Sequence, residues 1–133
     1  EYGWNHTTLR ALKVDPSITY LQVLYAPGVY AEKIMAIRAA FPGELYQHLE
    51  AMRVDGKMAF AGLTLVKFTT EARLDEIIQS HEAMGCHVFN PHRYTLEEGG
   101  RQSTDATQLA FKRQADPRGI LNPGKMISWD VPD

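Results

Sequence analysis

Asp55-Gly56 is the pair of residues that most narrows what this chain can become. A two-residue connection of this composition favours positive φ at both positions, the geometry that matches the twist of two paired antiparallel strands. Met58 to Phe68 beyond it is a long, mostly apolar run suited to a strand, so a partner strand must lie just before the turn. Glu44 to Arg53 fills that place, although Leu45, Leu49 and Met52 would also suit one face of a helix. Strict alternation separates Leu45, Leu49 and Ala51 from Tyr46, His48 and Glu50.

The flanking segments complete a pattern. Ile18 to Tyr25, β-branched and aromatic, reads as a strand closed by Pro27-Gly28. Tyr30 to Phe41 then sets Ile34, Ile37 and Phe41 at helical spacing until Pro42-Gly43 stops it. Thr69-Thr70 offers an N-cap to a second helix, with Leu74, Ile77, Ile78 and His81 along one face and Gly85 at its end. Cys86 to Asn90 is a short strand halted by Pro91. Strand, helix, strand, strand, helix, strand predicts an α+β fold, a ferredoxin-like βαββαβ antiparallel sheet with helices on one face. The other face would show Tyr46, His48 and Glu50, either wet or laid over a flat partner, with Gly62 permitting close approach. Ser103 is placed to cap a C-terminal helix running to about Ala115.

An extended clasp follows. Asp116 to Lys125 reads D-P-R-G-I-L-N-P-G-K, with two X-Pro steps and two glycines in ten residues, so the chain leaves the helix and turns twice. On the residues alone, this clasp packs Ile120 and Leu121 against the core.

Composition excludes several classes. At 133 residues the chain is one domain by length, and 44% hydrophobic with 23% charged residues suits a soluble globular protein. A net charge of -2 leaves no basic footprint for nucleic acid or an anionic membrane surface. Apolar runs fall short of the roughly 18 residues of a membrane span. The single Cys86 excludes an internal disulfide and fits a reducing, cytoplasmic compartment. Glu1 opens the chain inside what reads as a motif, as expected of a fragment of something longer. Residues 1–17 read as a connecting segment and 18–133 as the domain.

Two stretches carry a resemblance. F-K-R-Q-A with D-P-R-G-I-L-N-P-G-K resembles the C-terminal signature of the FAD-linked oxidases of the vanillyl-alcohol oxidase superfamily, in particular their glycolate oxidase and D-lactate dehydrogenase branch. W-N-H-T-T-L, Trp4 to Leu9, resembles the segment by which those enzymes pass from the flavin-binding domain into the substrate domain. The resemblance covers nearly the whole chain and implies that 18–133 is the substrate, or cap, domain. Its partners are then a flavin-binding domain of the same polypeptide, which holds most of the FAD, and a small hydroxy-acid or alcohol substrate. Asn5, His6, Asn122 and Lys125 become cofactor contacts, and the fragment alone is expected to show no turnover. Homodimer formation stays open.

Chemistry is sought among the histidines. His81, His87 and His92 with Glu82 fall within twelve residues, but their spacing argues against a compact metal site and His81 has the place of a core histidine. Some relatives carry metal ligands in H-x-G-D-G-N-L-H and E-H-G; neither occurs here, so no metal is expected and a 2-hydroxy-acid substrate is in doubt. In place of the latter stands F-N-P-H-R-Y. His92 is the candidate base for a substrate hydroxyl, Arg93 the partner of a substrate carboxylate and Tyr94 a hydrogen-bond donor. The competing account of that stretch is a rigid loop fixed by Pro91 with all three side chains in solvent. Two other classes also stand: a free-standing ferredoxin-like module that binds a metabolite or assembles through its sheet, and a metal-dependent enzyme built on the histidines.

Overall fold

The computed structural model describes residues 6–98 and 104–130. The chain divides into two compact units, Glu1–Val88 and Phe89–Asp133. The first holds α1 (His6–Leu12), β1 (Ile18–Tyr25), α2 (Tyr30–Ala40), β2 (Leu45–Tyr46), β3 (Leu49–Val54), β4 (Lys57–Lys67) and α3 (Glu71–Ala83), and leads into β5 (His87–Phe89). The strands lie in the order β2-β4-β1-β5, with β3 also on β4. This is an α+β fold with a five-stranded antiparallel sheet, compatible with the ferredoxin-like arrangement. No helix among the described residues is long and apolar enough to cross a membrane.

Register explains why five strands serve as four. Leu45 lies opposite Val66, Tyr46 opposite Leu65, Leu49 opposite Gly62 and Val54 opposite Lys57. Each step along one strand is matched by a step along the other, so β2 and β3 are one strand interrupted at Gln47 and His48. Asp55 and Gly56 close the hairpin with φ of 50° and 75°, both in the left-handed region that such a turn requires.

The core lies on one face of this sheet. Leu21, Val23 and Tyr25 of β1, Val66 of β4 and Leu45 of β2 are buried with Ile37 of α2, Phe41 just beyond it, and Leu74 and Ile77 of α3. Thr70 caps α3 by accepting the Arg73 N–H at 3.2 Å, and the Arg73 guanidinium holds both carboxylate oxygens of Glu44, at 2.9 and 2.7 Å, just before β2. Gly62 belongs to this helix-covered face, because it pairs with Val23 and Leu49. A Cβ there would lie 2.9 Å from Cε2 of the fully buried Tyr25. The glycine is therefore filled against by a core tyrosine, and the expectation that it opens the other face to a flat partner is corrected.

The opposite face is mixed. Ile18, Ala59, Leu63 and Leu65 on it are buried, while Tyr46 and Glu50 are exposed. The connecting segment also contains structure: α1 packs on β1 and buries Thr8. Its polar sequence shows no helical stripe, so tertiary contact decides its conformation. Asp15 then turns the chain into β1 by accepting the Ser17 N–H at 2.9 Å and hydroxyl at 2.6 Å.

The second unit is built on two carboxylates. Its elements are α4 (Ala106–Ala115) and the four-residue α5 (Ile127–Asp130). Asp105 caps α4 in a reciprocal box with Gln108, so the cap is not Ser103, which lies outside the described residues. Asp116 at the end of α4 accepts the N–H groups of Ile120 at 3.0 Å and Leu121 at 2.9 Å and pairs with Lys112. Glu97 accepts from the Ile127 and Ser128 N–H groups, both at 3.1 Å, and from the Thr104 and Ser128 hydroxyls, both at 3.0 Å. Burial pushes the Glu97 carboxyl up, but these bonds prevail and hold it at about 2. Ile120 and Leu121 are 59% and 60% exposed. The clasp thus closes on hydrogen bonds to Asp116, in place of the apolar packing expected of those two side chains.

Two substitutions check this account. Gly62→Ala forces a methyl against a ring with no room to move, and a loss of about 1–3 kcal/mol is expected in chemical denaturation. Asp116→Ala removes the acceptor of two backbone donors, so a lowered melting temperature is expected, with faster hydrogen exchange confined to the Ile120 and Leu121 amides. Unchanged exchange there would show that the carboxylate does not hold the clasp.

Candidate functional site

The structure disperses some of the expected site residues and commits others. Asn5 lies outside the described residues. His92 follows β5 on a loop where its backbone N–H donates to the Asn90 side chain at 3.0 Å, and His92 and Arg93 are both exposed. Tyr94 is 62% exposed, yet one face of its ring is taken: Lys125 Nζ stands 3.6 Å from the ring centroid. The backbone completes the contact, with the Leu96 N–H donating to the Lys125 carbonyl at 2.9 Å and Gly124 against the Tyr94 ring. Asn122 has a φ of 49° and accepts the Lys125 N–H at 3.3 Å, which makes it a corner of the clasp. Tyr94, Asn122 and Lys125 therefore meet as parts of one loop and clasp assembly.

A different group gathers on the sheet. His48 follows Gln47 at the interruption between β2 and β3, and the two side chains part company. Gln47 turns to the core, where its amide donates to the Tyr25 hydroxyl and the Ile34 carbonyl, both at 3.2 Å. His48 takes the other face, with Tyr46 and Glu50, as strand alternation requires. Its Nε2 lies 3.3 Å from Glu50 Oε1, and the His6 ring, at the start of α1, meets the His48 ring edge-on at 5.2 Å between centroids. One ligand atom from each of His6, His48 and Glu50 can be chosen so that all lie within 4.8 Å of one another. This brings the start of α1 to the face turned away from α2 and α3. Alternation along β2 and β3 placed His48 beside Glu50 in the sequence itself; nothing local could have added His6, forty-two positions away.

His81 is of the opposite kind. It is 0% exposed on the inner face of α3, where its Nδ1–H donates to the Ile77 carbonyl at 2.8 Å while Nε2 has no partner among the described residues. Burial pushes its pKa down, so the folded protein holds it neutral. The unfolded chain takes up that proton below about pH 6.5, so this contribution is complete above that value and is lost as pH falls. The expected result is a melting temperature that falls on acidification from pH ~7 to ~5. His81→Leu should flatten that slope, and an identical slope in the variant would assign the effect to other groups.

Neither a family model nor a curated protein matches this chain.

Proposed function

We propose that the chain is the substrate-side, or cap, domain of an FAD-dependent oxidoreductase acting on a small hydroxy acid or alcohol. The observation that supports this best is the face of the sheet turned from α2 and α3, where His6, Tyr46, His48 and Glu50 gather on an apolar ground that includes Leu63 and Leu65. A flat ring with hydrogen-bonding atoms at its rim needs such a mixture of apolar support and polar edge. The fit is to the ring end of the cofactor. Lys125 is engaged on Tyr94 and Asn122 turns the clasp, so neither is set aside for phosphates, which belong with the flavin-binding domain of the same polypeptide.

Bound FAD supplies a hydride acceptor. The task left to this chain is to position the substrate and take its hydroxyl proton. His92 serves as the acceptor, on a loop fixed by Pro91 and by the Asn90 side chain, and Arg93 offers a fork for a carboxylate. Tyr94 can donate from its hydroxyl while Lys125 fixes the ring.

In the longer polypeptide, His92→Ala is expected to slow anaerobic flavin reduction by about 10²–10⁴-fold with comparatively little change in substrate KM. Wild-type reduction in that variant would remove His92 from the role. A longer polypeptide that purifies without flavin would remove the whole reading.

A further inference from the structure

We propose that His6, His48 and Glu50 form a binding site for one divalent transition-metal ion of the zinc class. The donor set is two imidazoles and one carboxylate, which suits such an ion and carries a single negative charge to meet it. The spacing is already near what coordination demands. Two ligands bonded at about 2.0–2.1 Å to a tetrahedral ion lie roughly 3.3 Å apart, and His48 Nε2 stands 3.3 Å from Glu50 Oε1. The His6 atom, within 4.8 Å of both, need move by no more than about 1.5 Å, a displacement within reach of a rotation about its side-chain bonds at the first residue of α1.

Backbone geometry holds two of the three ligands in place. Glu50 pairs with Ala61 in the β3–β4 ladder, and His48 is fixed through its carbonyl, which accepts the Leu63 N–H at 2.9 Å. The pair is also accessible, with side chains 30% and 49% exposed, so an ion can enter and release protons and water. Three protein ligands leave a coordination position for water or a substrate oxygen, as in catalytic zinc sites, whereas structural sites are closed by four. The residues and their spacing differ from the H-x-G-D-G-N-L-H and E-H-G ligands of the relatives named above, and the site stands whether or not a flavin-binding domain accompanies the chain.

Calorimetric titration of the chain with Zn²⁺, paralleled by the visible spectrum with Co²⁺, tests this directly. At neutral pH, one ion per chain is expected, with a Co²⁺ spectrum of four- or five-coordination. His48→Ala, His6→Ala and the conservative Glu50→Gln should each weaken binding at least tenfold, while His87→Gln, on the exposed start of β5, should bind as the parent does. Circular dichroism of each variant separates a lost ligand from a lost fold, and Glu50, exposed at its tip, gives the variant least able to disturb folding. Absence of Zn²⁺ binding, undiminished binding in Glu50→Gln with its fold intact, or loss of binding in His87→Gln would each overturn the site.

Discussion

Much of the first unit depends on the room that Gly62 leaves for Tyr25. With no Cβ on β4 at that point, the tyrosine ring comes close to the strand and is fully buried, at the junction of α2, β1 and the interrupted strand. A buried hydroxyl needs a partner, and Gln47 supplies one at 3.2 Å. Burial pushes the Tyr25 pKa up to about 12, so the group stays protonated and acts as a fixed anchor. Gln47 is then held between Tyr25 and the Ile34 carbonyl, just where regular strand structure lapses between β2 and β3. His48 comes next in the chain and is directed to the other face. A core requirement on one side of the sheet thus positions an imidazole on the other.

The legible part of the fold is the part governed by local chemistry. Asp55-Gly56 announces a turn that only positive φ can make, Thr70 is a cap with its acceptor in place, and alternation divides Leu45 and Leu49 from Tyr46, His48 and Glu50 as the register does. What was not legible depends on distant partners. α1 has no apolar period and is set by its packing on β1. Gly62 reads equally well as space for a ligand or for a core ring, and only the register decides which face it occupies. Ile120 and Leu121 look like core residues because they are apolar, yet the backbone around them is captured by a carboxylate at the preceding helix end.

The two units draw on different physics. In the first, apolar side chains from two helices and four strands close over one face, and the charges lie mainly outside. The second has helices with little to bury, α4 having no buried residue, and Glu97 and Asp116 collect the N–H groups and hydroxyls that its turns would otherwise leave without acceptors. Both carboxyls are held below their ordinary values: at Glu97 burial opposes and the bonds prevail, and at Asp116 the Lys112 pair leads. Their contribution is present above the ordinary carboxylate range and disappears as pH falls through the folded values, so acid withdraws it from the second unit.

The histidines divide along the same line between packing and chemistry. His81 has been taken out of water, keeps one hydrogen bond and is held neutral, so neither a proton nor an ion can reach it without opening the core. His6 and His48 contribute little to burial, and an exposed pair such as His48–Glu50 adds about 0–1 kcal/mol to stability. An arrangement that stability does not require, brought together from a helix start and a strand interruption, is where a reactive role costs the fold least. The His6 and His48 imidazoles, partly open to solvent and close to a carboxylate, lie on the face turned from α2 and α3, whereas His81 is enclosed by the core on the other.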